Sequence, residues 1–345
     1  MLATLETIRV QDDATAAAPR LSVVIPTYNR AATLSACLEA LSKQTCGHEL
    51  FEIIVADDGS ADNTGEIVDR YTRKAPPCVR YVRQPNTGAN AARNRAIRST
   101  RAPLVLLIND DVLAAPEMVG RHIATHEQHP DDRVAVLGRV TIAPAFAGSR
   151  LAQLHLDFAY ERLGDATELD WHSFFTCNVS FKKSLLDRGG YFEERIRYHE
   201  DLELAERLSH HGLRIIYARE ALGYHHHLLT EEEFLAIAAR EARALAVWAQ
   251  ISPRVRPTLG ELGFEPELPL ASRAKHHVLT IAFDGPMLPL WRAVARGCPP
   301  QLNKVSLRIY SQMYQSVRRN ALRRELRTLA NEPAWPIDSS LEEPD

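Results

Sequence analysis

The sequence predicts an α/β fold: a mainly parallel sheet with helices on its faces, followed by a helical C-terminal extension. Three observations carry this. From Leu21 onward, short apolar runs alternate with stretches of helical periodicity, the pattern of βαβ units. Leu104 to Ile108 reads LVLLI, an uninterrupted apolar run suited to a strand covered on both faces. From about Thr230 the chain turns mostly helical, then proline-interrupted, then basic.

Taken in order, Leu21 to Ile25 reads as a buried strand halted by Pro26. Leu34, Cys37, Leu38 and Leu41 then fall on one stripe of a helix. Phe51 to Ala56 (FEIIVA) is a second strand, and polar turn residues lead into a helix carrying Ile67, Val68 and Tyr71. Val79 to Arg83 is a third strand, and Ala89 to Ile97 a helix of small residues. After Val140 the pattern becomes irregular. A helix from about Glu200 to His211 follows, closed by Gly212, and then a strand from Leu213 to Tyr217. Residues 1–19, polar and non-periodic from Gln11, read as a loose leader. Residues 20–234 read as one α/β domain and 235–345 as the extension.

Composition excludes several classes. The 345 residues carry 41 Lys plus Arg against 44 Asp plus Glu, a net charge of −3, whereas a dedicated nucleic-acid binder carries a basic excess. No apolar run approaches the ~20 residues a membrane span needs, and the N-terminus lacks the order of a signal peptide. Five scattered cysteines without a CxxC pair give neither a disulfide framework nor a zinc site. The expected location is the cytoplasm.

Open parallel sheets bind ligands beyond the carboxyl ends of their strands, and here those ends are polar. The first strand runs into Pro26-Thr27-Tyr28-Asn29-Arg30, the second into Asp57-Asp58-Gly59-Ser60, and the central one into Asn109-Asp110-Asp111. Acids gathered at one sheet edge call for a cation or a hydrogen-bond-donating ligand among them. Neither GxGxxG after the first strand nor GxxxxGK[ST] is present, which argues against a nicotinamide enzyme or a P-loop NTPase. Asn86-Thr87-Gly88 leads into the Ala89 helix, whose free N–H groups favour a phosphate.

The succession PTYNR, EIIVADDGSADNT, NTGANAARNRAI, LLINDD, FTCNVSFKKSLL, GGYFEE and HEDLELAERL resembles the inverting family 2 glycosyltransferases, whose catalytic domain has the GT-A fold. It covers about Leu21 to Phe234. The resemblance implies a UDP-, dTDP- or GDP-sugar donor bound with Mg²⁺ or Mn²⁺. By matching position it puts Pro26, Tyr28 and Asp57 at the nucleoside, with Asp58 beside them, and Arg93 and Asn94 at the segment that flanks the nucleotide; Asn29, Asn86 and Gly88 are expected in the donor site with them. Asn109 and Asp111 match the ends of an Asp-x-Asp motif. The first position is an amide here, so Asp111 is the expected metal ligand, with Asp110 in support. Asp201 matches the catalytic base and Glu200 lies next to it. At a helix start, the dipole is expected to depress the Asp201 pKa.

His225, His226 and His227 are metal-ligand candidates, with His225 the one assigned; His122 and His126 lack a third ligand and read as structural. The acceptor is a hydroxyl compound: a glycan, a lipid-linked molecule or a small molecule, met by the Thr141 to Phe175 stretch and the extension. Tyr310, Met313, Tyr314, Val317 and Ala321 make one face of a basic amphipathic helix from about Lys304 to Arg327, expected to dock on protein, in its own unit or a homodimer, or on a membrane. The alternative to an enzyme is a nucleotide-sugar-binding protein that has lost catalysis, which Asn109 favours and Asp111 and Asp201 oppose.

Overall fold

The structure is a computed structural model that describes residues 8–9, 18–73, 77–152, 154, 160, 162–260, 262 and 264–330. Most of the expected leader lies outside the described residues. The chain divides into two compact units between Leu228 and Leu229.

The first unit is built on one sheet of β1 (Ile8–Arg9), β2 (Leu21–Thr27), β3 (Phe51–Asp57), β4 (Cys78–Arg83), β5 (Leu104–Ile108), β6 (Val112–Ala114), β7 (Val134–Ile142), β8 (Glu168–Leu169), β9 (Asn178–Lys182) and β10 (Arg214–His225). Their order is β1-β4-β3-β2-β5-β9-β7-β10-β6, with β8 also on β10. The pairs β4–β3, β3–β2, β2–β5 and β7–β10 are parallel. Antiparallel β9 joins the two parallel groups through β5 and β7.

Alternate residues of one strand feed different cores. Val23, Ile25 and Ile53 pack with Leu34 and Leu38 of α1 (Ala31–Leu41), Val68 of α2 (Thr64–Thr72) and Ile123 of the Met118–Gln128 helix. Val24 and Ile54 pack with Ala92 and Ala96 of the Ala89–Ser99 helix and with Leu204 and Leu208 of the Glu200–His210 helix. Both sheet faces are therefore covered, which is why these strands are continuously apolar.

Two strands depart from the sequence expectation. β2 continues through Pro26 to Thr27, because pairing with β5 ends at Val24 and Pro26 owes no donor on that side. β10 runs on to His225 after a register shift between Ala218 and Leu222, so the histidines begin at a strand end and not in a loop. The sequence also conceals β9, whose inward Asn178 and Ser180 are fully buried. His122 bonds the Ser180 hydroxyl at 2.8 Å and the Asn178 Oδ1 at 2.9 Å, and His126 reaches the same hydroxyl at 2.9 Å. Burial pushes these imidazoles down to about 4 and about 3, so both are neutral.

In the second unit the Glu231–Ile251 helix starts with a Thr230/Glu233 capping box. The Asn303–Leu329 helix packs against it: Phe234 meets the Tyr310 and Tyr314 rings, and Arg318 pairs with Glu241 at 3.0 Å. Tyr310, Met313 and Ala321 of this helix are buried. The Leu270–Phe283 and Leu288–Gly297 helices both pack on the Asn303–Leu329 helix, and at their junction Phe283 stacks on Trp291 at 4.5 Å and the indole N–H donates to the Ala282 carbonyl at 2.7 Å. Among the described residues no helix is long and apolar enough to cross a membrane.

Candidate active site

The ends of β2, β3 and β5 converge. Asp110 and Asp111, directly after β5, are buried, and the Thr27 hydroxyl donates to Asp110 Oδ2 at 2.8 Å. Arg30 bridges the pair: Nη1 lies 3.1 Å from Asp110 Oδ1 and Nη2 2.8 Å from Asp111 Oδ2. Burial and the neighbouring Asp111 charge raise the Asp110 pKa to about 6, against the pull of Arg30. The other Asp111 oxygen, Oδ1, is buried without a hydrogen bond and lies 3.6 Å from His225 Nε2. The strand extension to His225 produces this approach, and the Asp111 carbonyl also accepts from the His226 N–H at 2.7 Å.

Around β3 the carboxylates organise loops. Asp57 is fully buried; its Oδ1 accepts from the Ser60 N–H at 2.8 Å and hydroxyl at 2.6 Å, and its Oδ2 from the Tyr81 hydroxyl, with Arg83 Nε at 3.5 Å. Asp58 accepts from Gln84 and from the Thr87 and Gly88 N–H groups, each at 2.9 Å, and so fixes the loop holding Asn86 and Gly88. Gly59 permits the approach: its φ is +87°, and a Cβ would stand 2.8 Å from the Asn86 nitrogen. Asn29, at φ +53°, ties the first loop to the second by accepting the Ala61 N–H at 2.7 Å. Tyr28 is exposed beside it.

The Ala89–Ser99 helix presents Asn90, Arg93 and Asn94, all buried, to the segment that precedes Glu200. Asn94 clamps Phe192 by both backbone groups, accepting its N–H and donating to its carbonyl, each at 2.9 Å. Asn90 donates to the carbonyls of Glu193 at 3.0 Å and Ile196 at 2.7 Å. Arg93 donates to Asn90 Oδ1 at 2.8 Å and to Glu200 Oε1 at 2.7 Å. The helix thus sets the start of Glu200–His210, where His199 holds a left-handed φ of 58°.

Asp201 corrects one expectation. Its pKa is raised to about 7, by burial first and the Glu200 charge second, against the Leu202 N–H bond at 2.9 Å and the attraction of Arg93. Desolvation and a like charge outweigh the helix dipole. Arg93 also acts on Asp110, and Asp201 and Asp111 both act on the Cys177 thiol. The carboxylates after β5 and at the helix start therefore share one electrostatic field.

Arg30, Tyr81, Gln84 and Asn90 escaped the sequence reading of the site. Only Asn90 had a local signal: it stands one turn before Asn94 on the same helix face. Among the described residues no group of three or more His, Cys, Asp or Glu gathers as a metal site.

The family described as "Glycosyl transferase family 2" matches residues 22–190. The validoxylamine A glucosyltransferase of Streptomyces hygroscopicus subsp. jinggangensis is 35% identical over 242 residues, 61% of this chain and 56% of the relative. The hyaluronan synthase of Pasteurella multocida is 30% identical over 227 residues, 56% of this chain and 23% of that protein. The chain thus aligns with about half the length of the first relative. Among solved structures, the mannosyltransferase PcManGT from Pyrobaculum calidifontis in complex with GDP-Man and Mn²⁺ superposes with a TM-score of 0.57 at 21% identity, covering 90% of this chain and 89% of that one. Staphylococcus aureus TarS 1–349 in complex with UDP gives 0.51 at 19% identity, covering 90% and 91%. These likenesses show a GT-A fold.

Proposed function

Since residues 22–190 match glycosyl transferase family 2, we propose that the chain moves a sugar from a nucleotide-sugar donor to a hydroxyl acceptor, with inversion at the anomeric carbon and Asp201 as the base. One observation carries the reading. Arg93 holds Glu200 while its charge acts on both Asp110 and Asp201, which links the end of β5 to the start of the Glu200–His210 helix.

In the reaction the acceptor oxygen attacks the anomeric carbon as the bond to the diphosphate breaks. The hydroxyl proton passes to the Asp201 carboxylate. A pKa near 7 makes Asp201 a stronger base than an ordinary carboxylate while leaving a large ionised fraction at neutral pH. Arg93 pins Glu200, whose charge helps to raise the Asp201 pKa.

The donor is a UDP-, dTDP- or GDP-sugar. UDP in TarS and GDP-Man in PcManGT support that range. Tyr28, whose ring is exposed, meets the nucleoside in this reading, with Pro26, Asn29, Asn86 and Gly88 beside the donor. Asp57 and Asp58 shape it from behind, through Ser60 and the Thr87–Gly88 backbone.

The donor set suits a divalent cation. Asp111 Oδ1 lacks a hydrogen bond and faces His225 Nε2, so these two side chains would hold Mg²⁺ or Mn²⁺, with Asp110 beside them. Bound there, the ion supplies Lewis-acid stabilisation to the leaving diphosphate. Release of free nucleotide from a panel of sugar nucleotides, with and without Mn²⁺, tests the reading. Metal-stimulated release from at least one donor is expected, and calorimetric donor binding without turnover on any acceptor would favour the binding-protein alternative.

A further inference from the structure

The second unit carries a run of exposed apolar side chains on its Leu270–Phe283 and Leu288–Gly297 helices and the start of its Asn303–Leu329 helix. Of the ten large hydrophobic residues that the described chain exposes, eight lie between Leu270 and Val305. Leu270 is 79% exposed, Val278 and Ile281 each 64%, Leu290 53%, and Val294 and Val305 each 42%. Several buried positions of the same helices are polar. The buried Ser306 hydroxyl donates to the Ala295 carbonyl at 2.8 Å, the Ser316 hydroxyl to the Leu279 carbonyl at 3.2 Å, and Arg319 to the Thr280 hydroxyl at 3.3 Å. A helix facing only water carries the reverse pattern.

The charge on this surface has one sign. Arg273, Lys275, Lys304 and Arg308 are exposed, and among the described residues none has an acidic partner. Asp284 is the only acid from Leu270 to Arg308, and it is half-buried and accepts from Asn320 Nδ2 at 2.8 Å.

We propose that the surface formed by the Leu270–Phe283 and Leu288–Gly297 helices and the start of the Asn303–Leu329 helix docks on an anionic lipid surface. Leu270, Ile281, Leu290 and Val294 enter the interfacial region, and the four cations lie against lipid phosphates. Charge selects this occupant over a second copy. A two-fold contact would set the same four cations against themselves with no acid to answer them. This is not the stripe singled out in the sequence, since Tyr310 packs on Phe234 and Met313 is buried.

Vesicle co-sedimentation of the full chain tests the proposal, with phosphatidylglycerol-containing or pure phosphatidylcholine vesicles. Binding is expected only to the anionic vesicles and should weaken as salt rises. Each neutralised cation should weaken partition about fivefold, so Arg273→Gln, Lys275→Gln, Lys304→Gln and Arg308→Gln together should lower it by more than about 100-fold. Ile281→Glu with Leu290→Glu, both at exposed positions, should also abolish binding while the circular dichroism spectrum is kept. Three results would each overturn the proposal: a chain that stays in the supernatant with anionic vesicles at low salt, a quadruple variant that binds as the native chain does, or a dimer by light scattering that Ile281→Glu dissociates.

Discussion

Replacing Asn94 with alanine separates a clamp from a ligand contact. The side chain is 1% exposed and holds the Phe192 N–H and carbonyl at 2.9 Å each. Alanine leaves both buried groups without a partner. Each such loss costs about 1–2 kcal/mol, the lower part of the range for an unpaired buried group, so the 192–196 segment should open more easily by about 2–4 kcal/mol. A change of 2.7 kcal/mol corresponds to about 100-fold in the opening equilibrium. Hydrogen exchange read by mass spectrometry should therefore show peptides spanning residues 190–200 exchanging roughly 30- to 1000-fold faster in Asn94→Ala. Because that segment sets the start of the Glu200–His210 helix, turnover should fall while the donor Kd moves by less than about threefold. Unchanged exchange together with a donor Kd weakened more than about tenfold would refute the clamp and return Asn94 to the nucleotide pocket.

Three further outcomes follow from the geometry. The rate should fall on acidification below about pH 7 as Asp201 takes a proton, and a profile flat down to pH 5 would remove a base of raised pKa. His122 and His126 have folded pKa values below the ordinary unfolded 6.5, so their stabilisation is complete above that pH and is lost as pH falls toward about 4 and about 3. The His122 share is on the order of 3 kcal/mol, and imidazole ¹⁵N shifts should report both rings neutral at pH 5, whereas a midpoint near 6.5 contradicts their burial. Gly138→Ala should destabilise the first unit by about 1–3 kcal/mol in urea, since its Cβ would stand 2.3 Å from Asn178 Nδ2 and 2.4 Å from the Ala221 carbonyl oxygen; an unshifted midpoint would mean that the β7–β9–β10 junction yields freely.

The fold of the first half was legible because β2, β3 and β5 are buried on both faces and must be apolar throughout. β9 was not, because its inward Asn178 and Ser180 are satisfied by histidines more than 50 residues away in sequence. Pattern alone cannot supply a partner. Asp110, Asp111, Glu200 and Asp201 stood out as acids at strand and helix ends, and Arg93, bonded to Glu200, acts on both Asp110 and Asp201. Arg30 did not stand out, since nothing local to PTYNR indicates that its guanidinium reaches across to two carboxylates 80 residues on. The Asp201 pKa was read with the wrong sign because the helix dipole is visible in sequence, whereas burial and the effect of the Glu200 charge depend on packing.

The account turns on Asp201, and Asp201→Asn tests it most directly, since the variant keeps the size of the side chain and removes its basicity. With a donor that supports turnover, single-turnover kinetics, calorimetric donor binding and the product's anomeric configuration by proton NMR are read on the same protein. The predicted result is a transfer rate at least about 100-fold lower, a donor Kd within about twofold, and a native-enzyme product inverted relative to the donor. An Asn variant that transfers at the native rate, or a product that retains the donor's configuration, would contradict it.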